Sequence, residues 1–112
     1  MEEIARYDLQ IYRGKTYRKD GRIRIDGEPL DLTACMIEAQ IRPEENSPKL
    51  IAEFEIDRAD QEDGYFSMNL DSETTAAIPN GIYYWDLKVI DPDGDVNYYV
   101  HGRTVIGGRV TE

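Results

Sequence analysis

The sequence predicts an all-β protein, an immunoglobulin-like antiparallel β-sandwich of about seven strands with one short helical turn. Three observations predict it. Segments of alternating apolar and polar residues recur along the chain, the two-residue period of strands with one buried face. Turn signals separate them roughly every 8–12 residues. Only one stretch, Asp71–Ile78, has helical character. A closed barrel of about eight strands is the alternative. The long connections Pro43–Lys49 and Asp71–Asn80 suit crossovers between two sheets better than meander turns.

The first strand is expected at Ala5–Tyr12, with Ile4, Tyr7, Leu9 and Ile11 as its apolar members; Gly14 ends it. Lys15–Ile25 reads as a second extended stretch carrying Tyr17, Ile23 and Ile25. Asp20-Gly21 inside it is either a tight hairpin turn or a bulge. Asp26–Pro29 is a loop, and Leu30–Thr33 leads into the next strand. There Cys35, Ile37, Ala39 and Ile41 alternate with Met36, Glu38, Gln40 and Arg42. Pro43–Lys49 is a polar loop, suited to mobility or to a partner contact. Leu50, Ala52, Phe54 and Ile56 then alternate with Ile51, Glu53, Glu55 and Asp57. After the acidic turn Arg58–Asp63, Gly64, Phe66, Met68 and Leu70 form another one-sided strand.

The helical candidate follows. Asp71 or Ser72 caps it, Glu73 suits its positive end, and Pro79 with Gly81 stops it. Asn80–Gly107 is the longest hairpin and the expected centre of the core. Tyr83, Trp85, Leu87 and Val89 lie on one face, and Trp85 is the single tryptophan. Asp91-Pro92-Asp93-Gly94 supplies the turn: proline presets φ and glycine accepts φ > 0. Val96, Tyr98 and Val100 are expected to return to the core side. Residues 107–112 are a tail.

At 112 residues the chain is expected to be a single domain, 1–112, able to bury one core. One cysteine leaves no disulfide framework and no cysteine-based zinc site. Cys35 reads as a small buried hydrophobe. No segment reaches the roughly 18 apolar residues of a membrane span. The amino terminus lacks the basic and apolar regions of a signal peptide, so synthesis and residence in the cytoplasm are expected. A net charge of −10 argues against nucleic acid or an anionic membrane as partner. Yet Arg13, Lys15, Arg18, Lys19, Arg22 and Arg24 concentrate six of the thirteen basic residues. An acidic body with one basic strand pair allows head-to-tail contacts between copies. The plainer reading is a solvated edge whose charges prevent aggregation.

No catalytic, cofactor or metal site stands out. Asp91, Asp93 and Asp95 mimic the start of a calcium loop, but the twelfth position from Asp91 is Gly102, where an EF-hand needs glutamate. His101, the only histidine, has no Ser or Cys motif near it. Carboxylates abound, and none is singled out as a hydrolytic pair. Gly107-Gly108 precedes no helix that would cradle phosphate. Tyr84 and Tyr99 are expected to face away from the core. With Tyr12 and Tyr65 they form an exposed aromatic patch, suited to a protein interface or to stacking on sugars; the alternative is that they lie covered under a loop.

Several segments taken in order carry a resemblance. Leu30-Asp31-Leu32-Thr33 precedes a strand ending Gln40-Ile41-Arg42, and Leu50–Phe54 follows. Then come Leu70–Pro79, Gly81–Leu87, Asp91–Gly94, His101–Val105 and Val110-Thr111. This order resembles small β-sandwich structural proteins of tailed bacteriophages and prophages. It is similar in particular to the amino-terminal adaptor domains of baseplate and receptor-binding proteins. The resemblance spans roughly residues 5–111. It implies a non-enzymatic virion protein, assembled in the host cytoplasm, that joins other tail, baseplate or fibre proteins, in several copies about a symmetry axis. The chain departs from that pattern in lacking a carboxy-terminal fibre extension and in carrying the basic stretch Arg13–Arg24. The interface residues expected on these grounds are the six basic residues with Tyr84 and Tyr99. A carbohydrate-binding module is the alternative; a small hydrolase finds no supporting constellation.

Overall fold

A computed structural model describes residues 5–45, 47–58 and 60–107. The chain is all-β. Its strands are β1 (Ala5–Arg6), β2 (Leu9–Ile11), β3 (Tyr17–Arg22), β4 (Arg24–Ile25), β5 (Glu28–Pro29), β6 (Met36–Arg42), β7 (Ala52–Glu53), β8 (Glu55–Asp57), β9 (Tyr65–Leu70), β10 (Gly81–Ile90) and β11 (Val96–Ile106). A 3-10 turn at Gln61–Asp63 and one helix, α1 (Ser72–Ala77), complete the described chain. One sheet runs β1-β11-β10-β6-β7, with β2 also on β11; another runs β3-β9-β8; β4 and β5 form a small ribbon. Beyond Gly107 the expected tail lies outside the described residues, as does Ile4.

The β10–β11 hairpin is the centre, as its alternation predicts. Tyr83, Trp85, Leu87 and Val89 are all buried. Ile37, Ala39 and Ile41 of β6 and Phe66, Met68 and Leu70 of β9 join them in a single core, so the two larger sheets share one apolar interior. Asp91 shapes the hairpin turn. Its carbonyl accepts from Gly94 N at 2.9 Å, and its Oδ1 accepts from the amides of Asp93 and Asp95. The helix is capped as expected: Asp71 Oδ1 accepts from Thr74 N at 2.7 Å. Thr75, fully buried, ties the helix to the 13–15 loop by accepting from Gly14 N and donating to Lys15 O. Cys35 is buried as its place in the alternation suggests, and burial pushes its thiol pKa up.

Several expectations need correction. The pairing is not wholly antiparallel, because β1 and β2 run parallel to β11. They share one register, interrupted at Tyr7-Asp8. There Trp85 Nε1 donates to Tyr7 O at 2.7 Å and Arg103 N to Asp8 Oδ1 at 2.9 Å. Both atoms face β11 across Gly102, where a Cβ would lie 2.1 Å from Tyr7 O.

Asp20-Gly21 is neither turn nor bulge. β3 runs straight through it, paired residue for residue with β9. Gly21 instead leaves room for the Phe66 ring, which would come within 2.6 Å of a Cβ there. The hairpin lies at Asp26-Gly27, read from the sequence as a plain loop. Their φ angles of 54° and 82° make the type I′ turn that joins β4 to β5.

The alternating stretch Leu50–Asp57 is two strands. β7 pairs with β6 and β8 with β9, so the chain changes sheets at Phe54. Phe54 N donates to Ala39 O, while its ring packs edge-on against Trp85 at 6.2 Å and tilted against Tyr17. Such a corner lets one strand seam two sheets together. Leu50, expected inside, is exposed.

On β11, Tyr99 is an extra residue. Leu87 pairs with Val100 and Lys88 with Tyr98, so a bulge reverses the alternation there. Val96 and Tyr98 are consequently exposed, and Tyr99 is half-buried against the core.

Candidate functional site

The outer face of the six-stranded sheet gathers charged and polar side chains around His101, the single histidine. Residues paired across antiparallel strands share a face, so the register defines cross-strand rows. At the turn end stand Met36, Ile90 and Val96; next come Glu38, Lys88 and Tyr98. The middle row holds Gln40, Asp86, His101 and, from β1, Arg6. Arg42, Tyr84 and Arg103 follow, and Ile82, Val105 and Gln10 close the face.

Two ion pairs order the β6–β10 side. Arg42 Nη1 donates to Asp86 Oδ2 at 3.0 Å, and its other terminal nitrogen bonds the Gln40 side-chain oxygen. Lys88 Nζ lies 3.2 Å from Glu38 Oε1. All four charged side chains are 21–28% exposed, so they are partly shielded from solvent, and each holds its partner in place. Over the middle of the face lies a concavity of about 550 Å³, floored by Tyr84, Asp86 and His101 and edged by Arg42, Tyr98, Glu44, Glu45 and Ser47. A second hollow of about 300 Å³ adjoins it through Glu45, Tyr84 and His101 and extends to Arg6 and Arg103.

Of the expected interface residues, Tyr84 lies on this face and Tyr99 does not. The bulge puts Tyr98 there in its place. The reading of Tyr84 and Tyr99 as a shared outward pair is therefore corrected. Tyr12 and Tyr65 are exposed, but Tyr65 belongs to the other sheet, so the four tyrosines form no single patch.

The basic stretch is drawn into the protein's own surface. Arg13 donates to Ala76 O at the end of the helix at 2.7 Å. Arg18 lies 3.3 Å from Asp20 and 3.9 Å from Asp57, and bonds Asn69. Lys19 sits over the Tyr7 ring at 4.7 Å. Arg22 donates to Asp63 O and stacks on Tyr65 at 4.5 Å. Lys15 and Arg24 are exposed. On edge strand β3 this arrangement matches the plainer reading of a charged, protected edge.

His101 faces Asp86 across the strands, with Ser47 and Glu45 on the loop opposite. Among the described residues, no group of three or more His, Cys, Asp or Glu side chains is placed to hold a metal ion. The outward residues of β6 and β10 were readable from their alternation. Which strand lies beside which was not, so the face could not be assembled from sequence. The chain matches no protein-family model and no curated protein.

Proposed function

We propose that the protein is a non-enzymatic structural adaptor of a tailed-phage particle, an immunoglobulin-like sandwich that joins two neighbouring tail, baseplate or fibre proteins. The observation that carries the reading is the pair of apolar patches at opposite ends of one sheet face. Met36, Val96 and Tyr98 form one, with Met36 57% exposed; Ile82 and Val105 form the other, with Ile82 55% exposed. Ile90 lies eight positions beyond Ile82 on β10, about 27 Å at strand rise. Two separated patches provide one contact surface for each neighbour, and aromatic residues and methionine are favoured at such surfaces. A single core beneath two sheets, seamed at Phe54, supports the sandwich. The order of segments supports the phage setting.

The test is recovery with particles. Particles banded on a density gradient are searched by mass spectrometry for this chain's peptides at stoichiometric ratio. Met36→Lys at one end and Ile82→Lys at the other should each abolish incorporation while leaving the monomer folded. A chain found only in the soluble fraction would sink the adaptor reading.

A further inference from the structure

We propose that the central groove of the six-stranded sheet is a binding site for a neutral oligosaccharide, sharing only Tyr98 with the apolar ends. Four observations lead there. The first is size: about 550 Å³, with a further hollow of about 300 Å³ beside it, matches a small-ligand site.

The second is the placing of the rings. Tyr84 on the floor and Tyr98 on the edge both line the groove. Tyr98 pairs with Lys88, four residues along β10 from Tyr84, which sets the two about 14 Å apart along the strands. A tyrosine offers an apolar ring face and a hydroxyl, and the apolar faces of sugar rings pack on such surfaces. Two rings so spaced suit a short chain of sugar units better than a single one.

The third is charge. Arg6, Arg42 and Arg103 line the joined hollows against Glu44, Glu45 and Asp86. Three positive and three negative groups carry no net charge between them, in a protein whose overall charge is −10. The site is thus set apart from its acidic surroundings and matched to an uncharged ligand rich in donors and acceptors.

The fourth is preorganisation. The Arg42–Asp86 pair, braced by Gln40, holds planar donors and acceptors at fixed positions beside Tyr84, with Asp86 in the row between the two rings. Vicinal hydroxyls can bond to both without the pair having to reorder, which lowers the cost of binding. His101 adds a ring nitrogen on the same floor.

The experiment titrates the isotope-labelled full chain with three neutral trisaccharides, chitotriose, cellotriose and maltotriose, and with sialyllactose as a charged control. Amide and side-chain signals are followed by NMR. At least one neutral sugar should move the signals of Tyr84, Asp86, Tyr98 and His101. Tyr98→Ala should weaken that binding about tenfold, and Tyr98→Phe, which keeps the ring, should retain most of it. Tyr98 is exposed, so both variants should fold, and an unchanged unfolding midpoint checks this. The inference is overturned if all three neutral sugars leave those signals in place, or if sialyllactose binds more tightly. It is overturned equally if Tyr98→Ala binds like the parent. Signals that move with protein concentration alone would assign the groove to a second copy of the chain instead. Incorporation into particles is a separate readout, so the groove and the adaptor role can fail independently.

Discussion

Gly102→Ala tests how the amino-terminal strand is fastened. A Cβ at position 102 would lie 2.1 Å from Tyr7 O and 2.7 Å from Tyr7 C. Carbon–oxygen contacts below 3.0 Å are not tolerated, and both atoms are backbone, so no rotamer change relieves the clash. Tyr7 must retreat by about 1 Å or more. Its carbonyl now accepts from Trp85 Nε1 at 2.7 Å. A retreat of that size stretches the bond to about 3.7 Å, where it no longer counts as one. The indole is only 5% exposed, so its N–H is left without a partner. An unpaired buried donor costs about 1–3 kcal/mol, and the Tyr7 N to His101 O bond adds about 1. The expected loss is roughly 2–4 kcal/mol, a large share of a domain stability of about 5–15.

Trp85, the only tryptophan, reports unfolding by its own fluorescence. With m near 2 kcal/mol/M, the urea midpoint should fall by about 1–2 M. Gly14→Ala is the control: it has open space around its Cβ but a φ of 81°, so it carries backbone strain without a clash. It should cost about 1 kcal/mol. The reasoning fails if Gly102→Ala loses less than the control while the Trp85 indole N–H stays protected from exchange.

Three further outcomes follow from the buried polar groups and the helix cap. Thr104 Oγ1 is fully buried with no hydrogen-bond partner among the described residues, so Thr104→Val should stabilise by about 1 kcal/mol, read as a higher melting temperature; a lower one would show that the hydroxyl is satisfied. Burial pushes the Tyr17 phenol up to about 12, above its unfolded value near 10. The stability it contributes is whole below about pH 10 and is lost as pH rises through about 12, so Tyr17→Phe should flatten that alkaline decline in a denaturation series. Bonds from the Thr74 hydroxyl and amide hold the Asp71 carboxyl below its ordinary range. Its contribution is present above about pH 4 and is lost as pH falls through the depressed value, so Asp71→Ala should lower the midpoint at neutral pH and lessen its fall in acid.

Alternation was a sound guide wherever a strand kept to one sheet. β6, β9 and β10 bury the residues their period assigns, because a half-buried strand has no other way to hide its apolar face. The helix was legible because its cap is local chemistry, complete within four residues. Phe54 was not legible as a corner. Its apolar phase continues unbroken from Ala52, since both sheets present their inner faces to the same core. Period reports which side is buried and is silent on which neighbour supplies the hydrogen bonds. Gly21 misled for a related reason. Asp-Gly is turn chemistry when read along the chain, but here the glycine answers to Phe66, 45 positions away and directly opposite it on β9.

The same limit decided the candidate groove. Between Val96 and Ile106 the residues alternate without a glycine or proline break before Gly102, so nothing local marks Tyr99 as extra. The bulge exists because β11 meets two demands at once. Near the turn, Asn97 and Tyr98 pair with Val89 and Lys88; beyond it, Gly102 must face Trp85 so that Tyr7 can approach. These two registers differ by one residue, and Tyr99 absorbs the difference. Tyr98 is thereby turned outward to share a face with Tyr84, while Tyr99 packs on the core. Which tyrosine joins the groove is thus fixed by the glycine contact three residues further on, a constraint that appears only when the amino-terminal strand lies down beside the hairpin.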